Sequence, residues 1–372
     1  MARGGRFRPL AKDPRRGEEG EGEGEDEDEE EGAGESKSIM TDKENALRII
    51  RFDHPERVME GAPSHYMAYR GCNHEGYEGG GHHLPVGSVW RDIWGTEWHR
   101  EHEGVMGFPR HGPLEELPEA LHGYSWPDPN DERLVSQIYQ QAQGWKREET
   151  FLYGSHRDTL WEKCYMLVGM ENAMCYFHSE PEAMREVLHR IMDFQLGIAQ
   201  HYLKLGVEMV GMSDDLGTQS GLLLSPDIIH NFLVPEYRRL FTLYKAHKVL
   251  INFHSCGHIE PILDVFMDLG VDILNPVQAT ANNLEEVRRK TQGRMTLQGG
   301  ISSGLIAKGP PSAIRREVRR RLWQLGRQGG GYFCSPDQGM PWPEEHFQAF
   351  RQAVIEFGRY PLQEPPSEDE PV

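Results

Sequence analysis

No apolar run in the chain approaches the roughly 18–20 residues that a membrane-crossing helix needs, so no spanning segment is expected. The first residues are basic, but no apolar core follows them, which argues against a secretory signal. Cysteine is scarce. Five in 372 residues, an odd number, make no disulfide framework, and the expected compartment is a reducing cytoplasm. Positive charge is also short, with 40 Lys and Arg against 59 Asp and Glu and a net charge of −19. Nucleic acid is therefore not an expected partner, because phosphate binding needs a basic surplus. The one local cluster, Arg315, Arg316, Arg319, Arg320 and Arg321, falls at helical spacing beside Ile314, Val318 and Leu322 and reads as a solvated helix face. No Gly-x-Gly-x-x-Gly follows a first strand, so a dinucleotide fold loses its best marker.

Part of the negative charge is segregated. Residues 17–35 hold 12 Asp or Glu, 6 Gly and one Ala, with no Lys or Arg. Such a stretch cannot bury enough surface to offset its ordering entropy, and like charges push it open. The expected organisation is a disordered acidic tail over 1–39 and a folded domain over 40–372. The tail carries 13 acidic and 7 basic residues, a contribution of −6, which leaves −13 for the rest. Met40 is expected to be the true start, or the tail to be dispensable.

Beyond Met40 short β-branched or apolar runs alternate with amphipathic helical stretches. Candidate strands are His65–Tyr69, Thr150–Tyr153, Val207–Met212, Val249–His254, Val271–Asn275, Met295–Gln298 and Gly331–Cys334. Ser179-Glu180-Pro181-Glu182 and Ser225-Pro226-Asp227 read as helix starts, each with a capping Ser and an early Pro. Strand–helix alternation over 200 residues implies a parallel sheet with helices outside. The length suits a (β/α)8 TIM-type barrel with insertions. Gly71–Asn130, rich in Gly, His, Trp and Pro, breaks the rhythm and reads as an insertion near the barrel mouth. Within it, Trp90, Trp94 and Trp98 recur at i, i+4 and i+8 as a packing stripe, and Asp92 lies inside that stripe.

Functional side chains in such barrels gather at the C-terminal ends of strands. Read in order, those ends present Asp214 and Asp215, then His254 and Cys256, then Asn275 and Gln278, then Gln298, then Cys334 and Gln338. His254 and Cys256 are two apart, so on an extended chain they point the same way. Imidazole and thiolate make half of a zinc site, and Cys334 is the nearest further thiol. The plainer reading is a buried Cys beside a hydrogen-bonded His. Adjacent Asp214 and Asp215 point to opposite faces on a strand. One can serve as proton donor, cation partner or orienter of the His, or as a helix cap. The polar Asn275, Gln278, Gln298 and Gln338 are substrate-binding candidates.

At these residues the sequence resembles the uroporphyrinogen decarboxylase superfamily. The motifs run in order: Ser213-Asp214-Asp215-Leu216-Gly217, Ser225-Pro226, His254-Ser255-Cys256-Gly257, Gly270 to Gln278, Gly299-Gly300-Ile301, and Gly329-Gly330-Gly331-Tyr332 with Ser335-Pro336. The resemblance extends from about Glu44 to Tyr360 and implies the barrel fold. It also implies one of two chemistries. Uroporphyrinogen decarboxylases act on a polyanionic tetrapyrrole held by an early Arg-Gln-Ala-Gly-Arg segment. Here Pro63 to Gly71 lacks the paired arginines, and the decarboxylase His falls on Gln338. Asp92 and Tyr165 correspond to that branch's catalytic Asp and Tyr. Corrinoid-dependent methyltransferases bind zinc through His-x-Cys and a later Cys. His254 and Cys256 match the pair, the later Cys again falls on Gln338, and Cys334 is the substitute.

The function expected is zinc-dependent methyl transfer between a small methylated substrate or acceptor and a methyl-corrinoid (cobalamin) carried by a partner protein. Catalytic candidates are Asp214, Asp215, Asp92 and Tyr165, and metal candidates His254, Cys256 and Cys334. The alternative is a decarboxylase-like lyase acting on a carboxylated tetrapyrrole or a related substrate. Expected partners are a small molecule, a corrinoid protein and a second copy of the chain.

Overall fold

In the computed structural model residues 40–366 are described, and the expectation for residues 1–39 lies outside them. The chain opens with helix α1 (Asp42–Arg51), whose start is fixed by the Thr41 side chain accepting from Glu44 N at 3.1 Å. Strand β1 (Ser64–Met67) follows, then the insertion with its strands β2 (Val89–Arg91), β3 (Glu97–His99) and β4 (Phe108–His111). After α2 (Glu132–Gln141) come β5 (Phe151–His156), α3 (Trp161–Val168), α4 (Met170–Ser179) and α5 (Pro181–Lys204). Alternation continues through β6 (Met209–Ser213), α6 (Pro226–Ile228), α7 (Val234–Ala246), β7 (Leu250–His254), α8 (Leu263–Leu269) and β8 (Ile273–Val277). It ends with α9 (Leu284–Thr291), β9 (Thr296–Ile301), α10 (Ser303–Lys308), α11 (Pro311–Gly326), β10 (Tyr332–Pro336) and α12 (Glu344–Phe357).

The seven strands expected from the sequence form one curled parallel sheet in the order β1-β5-β6-β7-β8-β9-β10. Its two edges approach where Met59, just before β1, bridges Phe333 in parallel and accepts from Cys334 N at 2.8 Å. This is a TIM-type barrel. Phe151, Met209, Ile273 and Phe333 point inward and form an apolar floor with Ala46, Ile49 and Ile50 of α1, which seals the N-terminal end. Two residues on from Leu250, Ile273 and Phe333 the lining turns polar, with Asn252, Asn275 and Ser335. The floor therefore confines chemistry to the C-terminal mouth.

Two local expectations change. Ser179 does not cap α5. Its hydroxyl bonds back to Cys175 O, and α5 starts at Pro181 with no side-chain cap. Ser225 does cap the next helix, accepting from Ile228 N. The Trp stripe is not helical either. Trp90 and Trp98 are cross-strand partners on the insertion's antiparallel sheet, with rings stacked at 6.2 Å. That sheet packs on α3 through Met166, and just past it Leu114 N donates to Leu167 O. The insertion therefore sits at the mouth end of the barrel.

Candidate metal centre

Two loops build the centre. After β6 the chain runs Asp214-Asp215-Leu216-Gly217, and after β7 it runs Ser255-Cys256-Gly257. They are laced together by Asp214 N to His254 O at 3.1 Å, Leu216 N to Ser255 Oγ at 3.0 Å and His258 N to Thr218 O at 2.6 Å. Gly257 has φ +86°, and a Cβ there would lie 2.3 Å from the Gly217 backbone. Only glycine lets the loops approach this closely.

This lacing brings Asp215, His254 and Cys256 together, with one donor atom of each within 4.8 Å of the others. Cys256 Sγ is 3.4 Å from His254 Nε2, and His254 Nε2 is 3.6 Å from Asp215 Oδ1. Bonds of about 2.0–2.3 Å at tetrahedral angles place donors about 3.4–3.6 Å apart, and both spacings from His254 Nε2 match a zinc ion. Burial first, and then the Asp215 carboxylate, push the Cys256 thiol up to about 12. A divalent cation held by the three donors would offset that cost and favour the thiolate.

The His is oriented from behind. Asn275 Nδ2 donates to Asn252 Oδ1, which turns Asn275 Oδ1 toward His254 Nδ1 at 3.0 Å. His254 then carries its proton on Nδ1, and Nε2 offers a lone pair to the centre. Asn275, named from the sequence as a substrate-binding candidate, is thus hydrogen-bonded to the His. Gln278 is likewise occupied, since its buried Oε1 accepts from Gly257 N at 2.5 Å and clamps the Cys256 loop. Gln338 does reach the centre, with Nε2 3.8 Å from Cys256 Sγ. Gln298 faces the lumen lower down, beside Gly61.

Cys334 does not join the group. Tyr332 and Cys334 lie on the outer face of β10, fully buried beneath the helices, while Phe333 and Ser335 face inward. Burial holds its thiol up at about 12. Asp215, not Cys334, lies beside His254 and Cys256. Asp214 and Asp215 do point to opposite sides, and Asp214 is a cap, although of a distant helix. It accepts from Leu160 N at 2.9 Å and Glu162 N at 2.8 Å at the start of α3, and from Tyr237 Oη at 2.6 Å. Burial lifts it to about 7 against the pull of the Tyr237 hydroxyl and of backbone N–H groups at the start of α3. Asp92 is held inside the insertion. It accepts from Trp94 N, Thr96 N and Trp98 Nε1 at 2.9–3.0 Å, with Lys163 Nζ at 3.9 Å.

Two acids that the sequence reading passed over stand beside the centre. Asp158 follows β5 and accepts from His74 Nε2, which holds it below the usual carboxylate range. Glu162, in the first turn of α3, is pushed up to about 9 by burial and by the charges of Asp158, Asp214 and Asp215. Tyr165 Oη donates to its Oε1 at 3.3 Å. Among the described residues no helix is long and apolar enough to cross a membrane.

Comparison with known proteins places this geometry. A family model described as uroporphyrinogen decarboxylase (URO-D) matches residues 148–357, a span from β5 to α12 that contains the whole centre. A uroporphyrinogen decarboxylase of Paraburkholderia xenovorans (strain LB400) is 27% identical over 207 residues, 54% of this chain and 55% of that protein. One from Cupriavidus necator is 27% identical over 177 residues, 45% of this chain and 46% of that protein. The chain spans about half the length of the curated relatives it matches. Among solved structures, a methyltransferase from Methanosarcina mazei superposes with a TM-score of 0.62 at 15% identity, over 86% of this chain and 99% of that one. At that identity the likeness is one of fold.

Proposed function

The chain belongs to the uroporphyrinogen decarboxylase family, and from that premise we propose that it is a zinc-dependent methyltransferase working with a corrinoid. The observation that carries the reading is the trio Asp215, His254 and Cys256 at adjoining strand ends, spaced for one tetrahedral ion. Zinc bound there supplies a Lewis acid that polarises the group exchanging the methyl. The chain's own residues do the rest. Asn275 and Asn252 fix the imidazole, Gln278 holds the Cys256 loop, and Asp214 anchors the start of α3 beside the centre. The apolar floor keeps the substrate at the open mouth, where a corrinoid carried by a partner protein can approach.

The decarboxylase reading has less support in this geometry. Asp92, the residue it relies on, spends its carboxylate on two backbone N–H groups and Trp98 inside the insertion. The test is metal analysis joined to methylation of free cob(I)alamin. The expected result is about one zinc per chain, lost in Cys256→Ala together with methyl transfer. Zinc below about 0.2 equivalents, with undiminished activity in Cys256→Ala, sinks the proposal.

A further inference from the structure

At the end of the barrel away from the mouth, α9 and the last turns of α11 wall a cavity of about 530 Å³. That size is within the range of small-molecule sites. Four arginines line it, Arg288, Arg289, Arg320 and Arg327, with one acid, Glu285. Gln292 and the half-buried Trp323 stand on the same wall. Arg288 fixes the place in the fold. Its guanidinium donates to Met295 O, just before β9, and to Gly331 O, just before β10.

The cavity's own residues leave its polar chemistry incomplete. Arg288 is 5% exposed. Its hydrogen bonds, to Leu325 O, Gly331 O, Thr291 Oγ1 and Met295 O, all go to uncharged acceptors, and the Phe52 ring lies 5.4 Å away. Its Nε has no partner among the described residues, and neither has the buried acceptor Gln292 Oε1. Native folds rarely leave such atoms unmade, because each loses water and gains nothing. Arg289 and Arg320 each pair with a glutamate of their own helix, Glu286 and Glu317. Arg327 instead lies over the Trp323 ring, 5.5 Å from its centre.

Three things would complete this wall: an anion among the arginines, a hydrogen-bond donor for Gln292, and a flat ring to extend the Arg327–Trp323 stack. A bare phosphate meets only the first need, and a nucleoside only the other two. We propose that the cavity binds a mononucleotide, with its phosphate on the arginines and its base against Trp323 and Gln292. The site lies at the opposite end of the strands from Asp215, His254 and Cys256, so it stands apart from the methyl-transfer reading.

Calorimetric titration of the full chain with adenosine monophosphate, adenosine and inorganic phosphate tests this. The monophosphate is expected to bind once per chain, at least about tenfold more tightly than either fragment. Trp323→Leu should weaken it about 5–100-fold, the loss of one base stack. Arg327→Gln should weaken it about tenfold or more, the loss of one charge-assisted bond. Cys256→Ala should bind it like wild type, and a loss there would move the nucleotide to the mouth and overturn the site. No binding at about 5 mM, a fragment that binds as tightly as the whole, or wild-type affinity in either cavity variant overturns the proposal.

Discussion

The amide pair behind His254 makes a prediction that can be worked through quantitatively. Asn275 Oδ1 accepts from His254 Nδ1 at 3.0 Å and is itself aimed by its Nδ2 donating to Asn252. Asn275→Ala frees the ring to rotate and to place its proton on Nε2, the atom that faces Cys256 and Asp215. Loss of such an outer partner typically weakens metal binding about 10–100-fold, or about 1.4–2.8 kcal/mol. Asn252→Ala leaves Asn275 in place but lets its amide flip, so a smaller loss is expected, within about tenfold. Asn252 acts only through Asn275, so the double variant should bind zinc no more weakly than Asn275→Ala alone. The coupling energy in the cycle then equals the whole effect of Asn252→Ala. Competition against a chromophoric chelator at pH 7 measures all four proteins. Wild-type affinity in Asn275→Ala, or additive losses in the double variant, would refute the relay.

Other outcomes follow from the same geometry. Cys334→Ala should keep its zinc while losing about 1 kcal/mol of stability from the buried contact, and a fall in zinc content by plasma emission would place Cys334 back in the centre. Glu162 has its folded pKa raised to about 9, so the native state holds a proton that the unfolded chain has released. Its contribution to stability is present at acid pH and declines as pH rises from the ordinary Glu range toward 9. Urea midpoints of wild type should therefore fall relative to Glu162→Gln over that window, and parallel curves would contradict the shift. Gly257→Ala forces a side chain into φ +86° against the Gly217 backbone. It should cost more than the roughly 1–3 kcal/mol of conformational strain alone, and denaturation within about 1 kcal/mol of wild type would refute the close approach.

The barrel was legible in the sequence because parallel strands, buried on both faces, read as continuous apolar runs. All seven runs became ladder strands. That property also concealed what the sequence could not show. In Gly331-Tyr332-Phe333-Cys334 every side chain is apolar or small, so no alternation marks which face looks inward, and Cys334 was assigned to the mouth although it lies beneath the helices. His254 and Cys256 were found because period two holds across a strand end. Asp215 was found as a candidate but not as the neighbour of His254 and Cys256, since that depends on how closely Gly217 and Gly257 cross.

Glu162 and Asp158 were missed for a local reason. The run Thr150–Tyr153 gave no signal past Tyr153, because Gly154, Ser155 and His156 are poor strand formers. The strand nevertheless continues in register with β6 to His156. Its true C-terminal end, Arg157-Asp158, was therefore never placed at the mouth, and neither was the helix that follows it. A strand carried by its neighbour's ladder rather than by its own propensity ends where the neighbour ends. Extended to the length of its parallel partner β6, the weak strand ends at the mouth, and Asp158 and the helix carrying Glu162 follow it there.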